Sequence, residues 1–208
     1  MTAERVARVR DEVRAGLRVG VLDAPLDSAV DQALREGLVL LTPHYPLYTL
    51  RFTVTEAALI DTTLLDLTAF APDMQQLVAL VWPLDGVKAD YMTLDSGLRV
   101  LFTPDQAPAV GDEVEIVYRR TLTVVGLDGA ATTTLAATWD AVWAKAAVCA
   151  CIHGELVSVL ANTERSQAIG EVRERGLLTA ERRARAELDE ILSAMHAPVR
   201  PVSWNRGL

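Results

Sequence analysis

The apolar residues of this chain change period twice, and that double change limits the possible folds more than any other feature. Near the N-terminus the spacing is helical. Val6, Val9, Val13 and Leu17 recur at three and four residues with Arg and Glu between them, which predicts a helix over residues 2–18. Gly16 and Gly20 mark where it is expected to fray. A second stripe, Leu26, Ala29, Val30, Ala33, Leu34, Gly37, Leu38 and Leu41, keeps i, i+3, i+4, i+7 order and predicts another helix. Asp23 or Asp27 can cap it, Pro25 suits its first turn, and Pro43 and Pro46 stop it.

The period then falls to two. "LYTLRFTVT" (47–55) alternates and is rich in β-formers, and "ALIDTTLLDLT" (57–68) also reads as extended. "LVALVWPLD" (77–85) predicts a buried strand ended by Pro83, and "ADYMTLDSGLRVLFT" (89–103) a hairpin turning at Asp95-Ser96-Gly97. "DEVEIVYRRTLTV" (112–125) alternates again, with Val114, Ile116 and Tyr118 on one face. Short strands between turn signals predict a small antiparallel sandwich or barrel.

From Ala136 or Thr138 the helical period returns. Trp139, Val142, Trp143, Ala146, Ala147, Ala150, Leu156, Val159 and Leu160 predict one long apolar helix ending near Asn162, whose small residues permit close backbone approach. A last helix is expected over residues 179–195, capped by Thr179 and supported by the i,i+4 pair Glu181–Arg185. The remaining "HAPVRPVSWNRGL" reads as an extended arm. The expected fold class is therefore α+β. Residues 1–46 and 127–196 form a helical core, residues 47–126 an inserted antiparallel β domain projecting from it, and residues 197–208 a C-terminal arm. Leu34, Leu38, Trp139 and Trp143 are the expected helix-packing residues.

Charge narrows the function. The net charge is −8, and it is uneven. Residues 1–40 carry 7 acids and 6 bases, residues 41–163 carry 14 and 6, and residues 164–208 carry 7 and 8. An acidic middle argues against wrapping around nucleic acid, which needs a cationic face. It suits simple solubility, or a wall that DNA slides past without sticking. The Arg-rich ends are interleaved with Glu and Asp, so salt-bridged helix surfaces or subunit contacts are expected there. The stretch 1–17 is too charged for a signal peptide, and the apolar run 135–160 is broken by Asp140, Lys145, His153 and Glu155. A soluble protein made inside the cell, with no membrane partner, is the expectation.

Catalytic and metal-binding patterns are weak. Cys149, Cys151 and His153 lie close in sequence, but a zinc site wants about four converging ligands and no second Cys/His pair exists. They read as buried small residues of a packed helix, and no metal or other cofactor is expected. His44, His153 and His196 sit in no recognised catalytic motif. The loop "DGAATTT" (128–134) offers three threonine hydroxyls, but with no adjacent base they read as turn and cap residues at a joint. Asp61, Asp66, Asp85, Asp90, Asp95, Asp105 and Asp112 are scattered through turns and strands without a calcium-loop pattern, and neither a P-loop nor GxGxxG occurs. An enzyme is not expected.

Two stretches carry a family resemblance. "LDSAVDQALREGLVLLTP" (26–43) resembles the N-terminal helix of head–tail connector (adaptor) proteins of tailed bacteriophages. "GDEVEIVYRRTLTVVGLDGAATTTLAATWDAVWAKAAVCACIHGEL" (111–156) resembles their second hallmark: a closing strand, a loop of the type L-D-G-A-x-x-T-T-L, and an Ala/Gly-rich helix. The likeness spans about residues 26–192. It departs from the family where Thr133-Thr134-Leu135-Ala136 replaces a "TTLP" cap, and where Cys149 and His153 enter a helix that is usually small and apolar.

The resemblance implies a structural virion protein of the neck, assembled in the host cytoplasm. It would form a twelvefold ring between the portal protein and the stopper or tail-terminator protein. Double-stranded DNA would pass through without sequence-specific binding. The arm residues Val199, Arg200, Val202, Trp204 and Arg206 would contact a partner, with Trp204 as the anchor. Two other classes stay open at this point: another tail component, such as a tail terminator or baseplate-proximal protein, and a hydrolase using the scattered carboxylates.

Overall fold

The structure, a computed structural model, describes residues 2–18, 27–85, 87–162 and 167–196. The arm with Val199, Arg200, Val202, Trp204 and Arg206 lies outside the described residues, as do the expected capping residues Asp23 and Pro25. The chain has an α+β fold: four helices and two small antiparallel sheets. It divides into two compact units, one of residues 1–40 with 124–208, the other Leu41–Thr123.

The first unit holds α1 (Thr2–Arg18), α2 (Asp27–Leu41), α3 (Asp140–Asn162) and α4 (Gln167–His196). The stripe of α1 is buried at Val6, Val9, Val13 and Leu17, and α1 runs through Gly16 rather than ending there. A Cβ on Gly16 would lie 2.9 Å from Val148 Cγ2, so the glycine marks a close approach of α1 to α3. Helix α2 buries Val30, Ala33, Leu34, Leu38 and Leu41. It crosses α3 at Gly37, where a Cβ would sit 2.9 Å from the Ala147 backbone nitrogen. Glycine is required there because two helix backbones meet. Past α2 the chain turns, with His44 N and Tyr45 N both donating to Leu41 O.

Helix α3 follows a 3₁₀ turn over Ala137–Trp139. Contrary to the sequence expectation, Ala137–Ala161 is long and apolar enough, by length and composition, to cross a membrane. The interrupting charges are too few to break the run. Within the unit Trp143, Ala146 and Ala147 are fully buried, and Ala144, Cys149, Ala150 and Ile152 nearly so, as in a core helix. Helix α4 begins at Gln167, twelve residues before the expected cap. Thr179 is not a cap. Its hydroxyl donates to Arg175 O, four residues back inside a continuous helix, at 2.9 Å. The Glu181–Arg185 pair forms at 3.0 Å.

The second unit holds β1 (Tyr48–Thr53), β2 (Leu64–Asp66), β3 (Met74–Val81), β4 (Tyr91–Leu94), β5 (Arg99–Phe102) and β6 (Glu113–Arg120). One antiparallel sheet has the order β1-β6-β3, the other β2-β5-β4. Val114, Ile116 and Tyr118 of β6 point inward and join Leu80, Met74, Leu65, Val100 and Phe102 in a shared core. On the other face Glu115 pairs with Arg51, its direct cross-strand neighbour, at 3.1 Å. The β4–β5 hairpin turns at Asp95–Gly97. Gly97 has φ +92°, and a Cβ there would lie 2.7 Å from Leu77 Cβ, so two independent constraints demand glycine.

Two strand expectations are corrected. Residues 57–68 are not one extended run: Glu56–Ala58 is a 3₁₀ turn, and only Leu64–Asp66 is a strand. Asp61 Oδ1 accepts from Thr63 N, Thr63 Oγ1 and Leu64 N at 2.7–2.9 Å, which bends the chain back on itself. The strand expected over residues 77–85 instead starts at Met74 and stops at Val81. Bulges between Met74 and Gln76 and between Leu77 and Ala79 let it pair with β6 despite its polar start.

Candidate functional site

Three features of the helical unit carry its organisation: a joint, a packed crossing and a groove. The joint is the segment from Val124 to Trp139. Val124, Leu127 and Leu135 are buried, and the turn between them uses positive φ at Gly126, Asp128 and Gly129. Thr133 Oγ1 accepts a hydrogen bond from Val125 N at 3.0 Å, so this threonine ties the two sides of the loop together. Asp128 pairs with Arg35 of α2. Of the three threonines, Thr133 thus stands against a backbone amide. No base lies against Thr133 in these contacts, so its hydroxyl serves as a structural acceptor.

At the crossing, one pair of the expected packing residues meets directly. Leu34, Leu38, Trp139 and Trp143 are all buried, and Trp143 Nε1 donates to Leu34 O at 2.9 Å. Next to them the N-terminus of α3 is held by a group that the periodicity did not reveal. Asp140 is buried and faces two arginines of α1: Arg5 Nε at 2.9 Å and Arg8 Nη2 at 2.5 Å. Arg5 also donates to Leu135 O and Ala136 O at 3.0 and 3.2 Å. A carboxylate at the first residue of a helix also meets the positive end of the helix dipole. The sequence signal was available: an aspartate opening an apolar helix, and arginines three positions apart at the other end of the chain. Their pairing was not.

The groove lies between α1, α3 and α4 and encloses about 470 Å³. Its floor is apolar and mostly small: Ala144, Val148 and Ile152 of α3, with Ala180 and Ala184 of α4. Glu12, Lys145, Arg183 and Glu187 stand at its rim. Glu187 accepts from Lys145 at 2.9 Å and from Arg183 at 3.0 Å, and these bonds hold its carboxyl below the usual carboxylate range.

The residues weighed for chemistry are separated or occupied. Burial pushes the Cys149 thiol up to about 11, which makes it a poor nucleophile and a poor metal ligand. Cys151 is shifted the same way for the same reason. His153 Nδ1 lies 2.8 Å from Glu181 Oε1, not towards Cys149. Among the described residues no group of three His, Cys, Asp or Glu side chains is placed to hold a metal ion. In the β unit Asp61, Asp66 and Asp112 are spent on turns. Asp61 is held below its ordinary pKa chiefly by the Thr63 backbone amide, and Asp66 by the Thr68 hydroxyl. Asp112 accepts from Ala109 N at 2.7 Å. The Tyr118 hydroxyl donates to Asp73 at 3.2 Å, and burial first, then that carboxylate, pushes its pKa up to about 12. The arrangement favours holding backbone turns in register over acid–base work.

Neither the known protein-family models nor the curated protein sequences contain a match to this chain.

Proposed function

We propose that this chain is a structural subunit of a tailed-phage neck: a head–tail adaptor that closes into a ring between the portal protein and the stopper or tail-terminator protein. The observation that carries the reading is the insertion. One continuous β unit, Leu41–Thr123, interrupts a helical unit built from both ends of the chain. That is the order of parts in the adaptors that residues 26–43 and 111–156 resemble. Within the second stretch, the loop of the L-D-G-A-x-x-T-T-L type is a joint, with Thr133 and Asp128 used for structure. A role in architecture rather than chemistry is what a ring subunit needs.

Charge supports the same reading. The β unit carries 11 acids against 5 bases, a balance that repels a phosphate backbone. Exposed Val39, Val157 and Leu160 on the helices are surface that a neighbouring subunit would cover. A ring of this kind closes through heterologous contacts, twelve in the adaptors it resembles. On this reading the protein is not an enzyme, takes no cofactor, is made in the bacterial cytoplasm and ends in the virion. The test is to mix the purified chain with the portal protein from the same genome and examine the mixture by native mass measurement and electron microscopy. Rings stacked on portals are expected. A chain that stays monomeric at every concentration and never co-sediments with portals overturns the proposal.

A further inference from the structure

The outer face of the β2-β5-β4 sheet carries a cross-strand row of apolar side chains bordered by carboxylates. We propose that this face is the docking site of a cationic amphipathic helix presented by a partner protein. The inference does not depend on the adaptor reading.

The register builds the row. Leu64 of β2 pairs with Leu101 of β5, and Leu101 pairs with Met92 of β4. Beyond β2, Leu59 bridges Leu65 and Ile60 N donates to Leu64 O at 2.9 Å, so Ile60 continues the line. The alternate positions Leu65, Val100 and Phe102 lie in the core, which turns Ile60, Leu64, Leu101 and Met92 outward. Ile60 is 51% and Met92 60% exposed, with Leu64 and Leu101 half-buried between them. Three strand spacings make the row roughly 14 Å long. A sheet ordinarily buries its apolar faces against another layer, and in the β unit no described element packs on this side.

Charge selects the occupant. The neighbouring row is Asp66, Arg99 and Leu94, and Arg99 is shared between Asp66 at 3.8 Å and Asp95 at 3.2 Å. Asp61 follows Ile60 at the end of the line. Carboxylates therefore outnumber the single guanidinium beside the row, and that guanidinium is already paired. Of the other bases in the β unit, Arg51, Arg119 and Arg120 belong to the β1-β6-β3 sheet, and Lys88 donates to Pro83 O and Leu84 O. A basic partner gains from this field. A second copy of the same face does not, since the same carboxylates would meet. A helix suits the site better than a strand, because a strand adds to a sheet edge through backbone groups, whereas this face offers side chains. At 1.5 Å per residue, about ten residues of helix cover the row, with apolar anchors at i, i+3 or i+4, and i+7 and Lys or Arg on either side.

The test is NMR on the full chain with labelled Ile, Leu and Met methyls, titrated with synthetic helical peptides of about 18 residues. One carries Leu at helical spacing with Lys elsewhere, a second replaces each Lys with Glu, and a third scrambles the Leu and Lys order. The first should move the Ile60, Leu64, Met92 and Leu101 methyl resonances and leave those of the helical unit in place. It should bind about tenfold or more tighter than the scrambled peptide, and more weakly as salt rises, while the Glu peptide leaves the spectrum unchanged. Met92→Asp and Ile60→Asp should each lower its affinity about tenfold or more. Both side chains are exposed and they stand on different elements, so if one variant loses the core Leu65 and Leu80 resonances the other decides. Equal binding of the ordered and scrambled peptides, perturbation centred elsewhere, or full affinity in a folded variant overturns the proposal. So does movement of the same methyls when the chain alone is concentrated, which would make a second copy the occupant.

Discussion

Replacing Asp140 with alanine tests how the helical unit is held together. The carboxylate pairs with both Arg5 and Arg8, and the three side chains are 8%, 15% and 61% exposed. Removing one member of a buried ion pair typically costs about 3–5 kcal/mol, because the other charge is left without a partner. Here the loss is smaller. Arg5 keeps its bonds to Leu135 O and Ala136 O, and Arg8 turns to water. Losing the favourable contact with the α3 N-terminus adds about 0.3–1 kcal/mol. The expected cost of Asp140→Ala is therefore about 2–3 kcal/mol. At about 2–4 °C per kcal/mol for a chain of this size, that lowers Tm by about 4–12 °C. The assay is urea and thermal unfolding followed by the helical circular-dichroism signal, which reports the unit containing all four helices. Double-mutant cycles separate the two arginines. Coupling of Asp140 to Arg5 should be about 1.5–3 kcal/mol, because that pair is buried and shares two nitrogens with one oxygen. Coupling to Arg8 should stay below about 1 kcal/mol, the range of exposed pairs. Equal couplings, or an Asp140→Ala cost under about 0.5 kcal/mol, would refute the reasoning.

Three further outcomes are expected. Gly37→Ala places a methyl 2.9 Å from the Ala147 backbone and should cost about 1–3 kcal/mol by overpacking, whereas Gly154→Ala, with nothing within 4 Å, should stabilise α3 by about 0.5–1 kcal/mol; matched denaturant titrations of the two variants check the contrast. Thr133→Val should lower stability by about 0.5–1.5 kcal/mol, since Val125 N loses its acceptor, while Thr133→Ser should retain it; amide hydrogen exchange at Val125 reads the bond directly. The alkaline limb of stability should depend on Cys149. Its thiol ionises at an ordinary 9.0 when unfolded and at about 11 when folded, so the unfolded chain loses the proton first and stability falls as pH rises from 9.0 to about 11. Cys149→Ala should flatten that fall in pH-dependent unfolding.

The sequence was most legible where one local rule decided the outcome. A 3.6-residue stripe was enough for α1 and α2, and a two-residue alternation was enough for the inward face of β6. It failed where side chains compete with the backbone. Asp61 and Thr63 make a turn inside a run of apolar residues, and Thr179 looks like a cap because threonine caps helices. In the folded chain Thr179 bonds backwards, and α4 continues through the glycines at positions 170 and 176. The candidate sites were less legible than the fold, because each is made by residues distant in sequence. Arg5 meets Asp140 across 135 positions and Gly37 meets Ala147 across more than a hundred. The groove is the clearest case. Ala144, Ala180 and Ala184 each read as ordinary helix formers, and Gly16 reads as a helix end. Only when α1 approaches α3 at Gly16, with α4 held alongside by the Lys145–Glu187 and His153–Glu181 contacts, do four small residues become a recess. Small side chains let helices approach, and where a third helix stands beside the pair they also leave the space uncovered. The same physics that packs the crossing at Gly37 therefore opens the groove at Ala180 and Ala184.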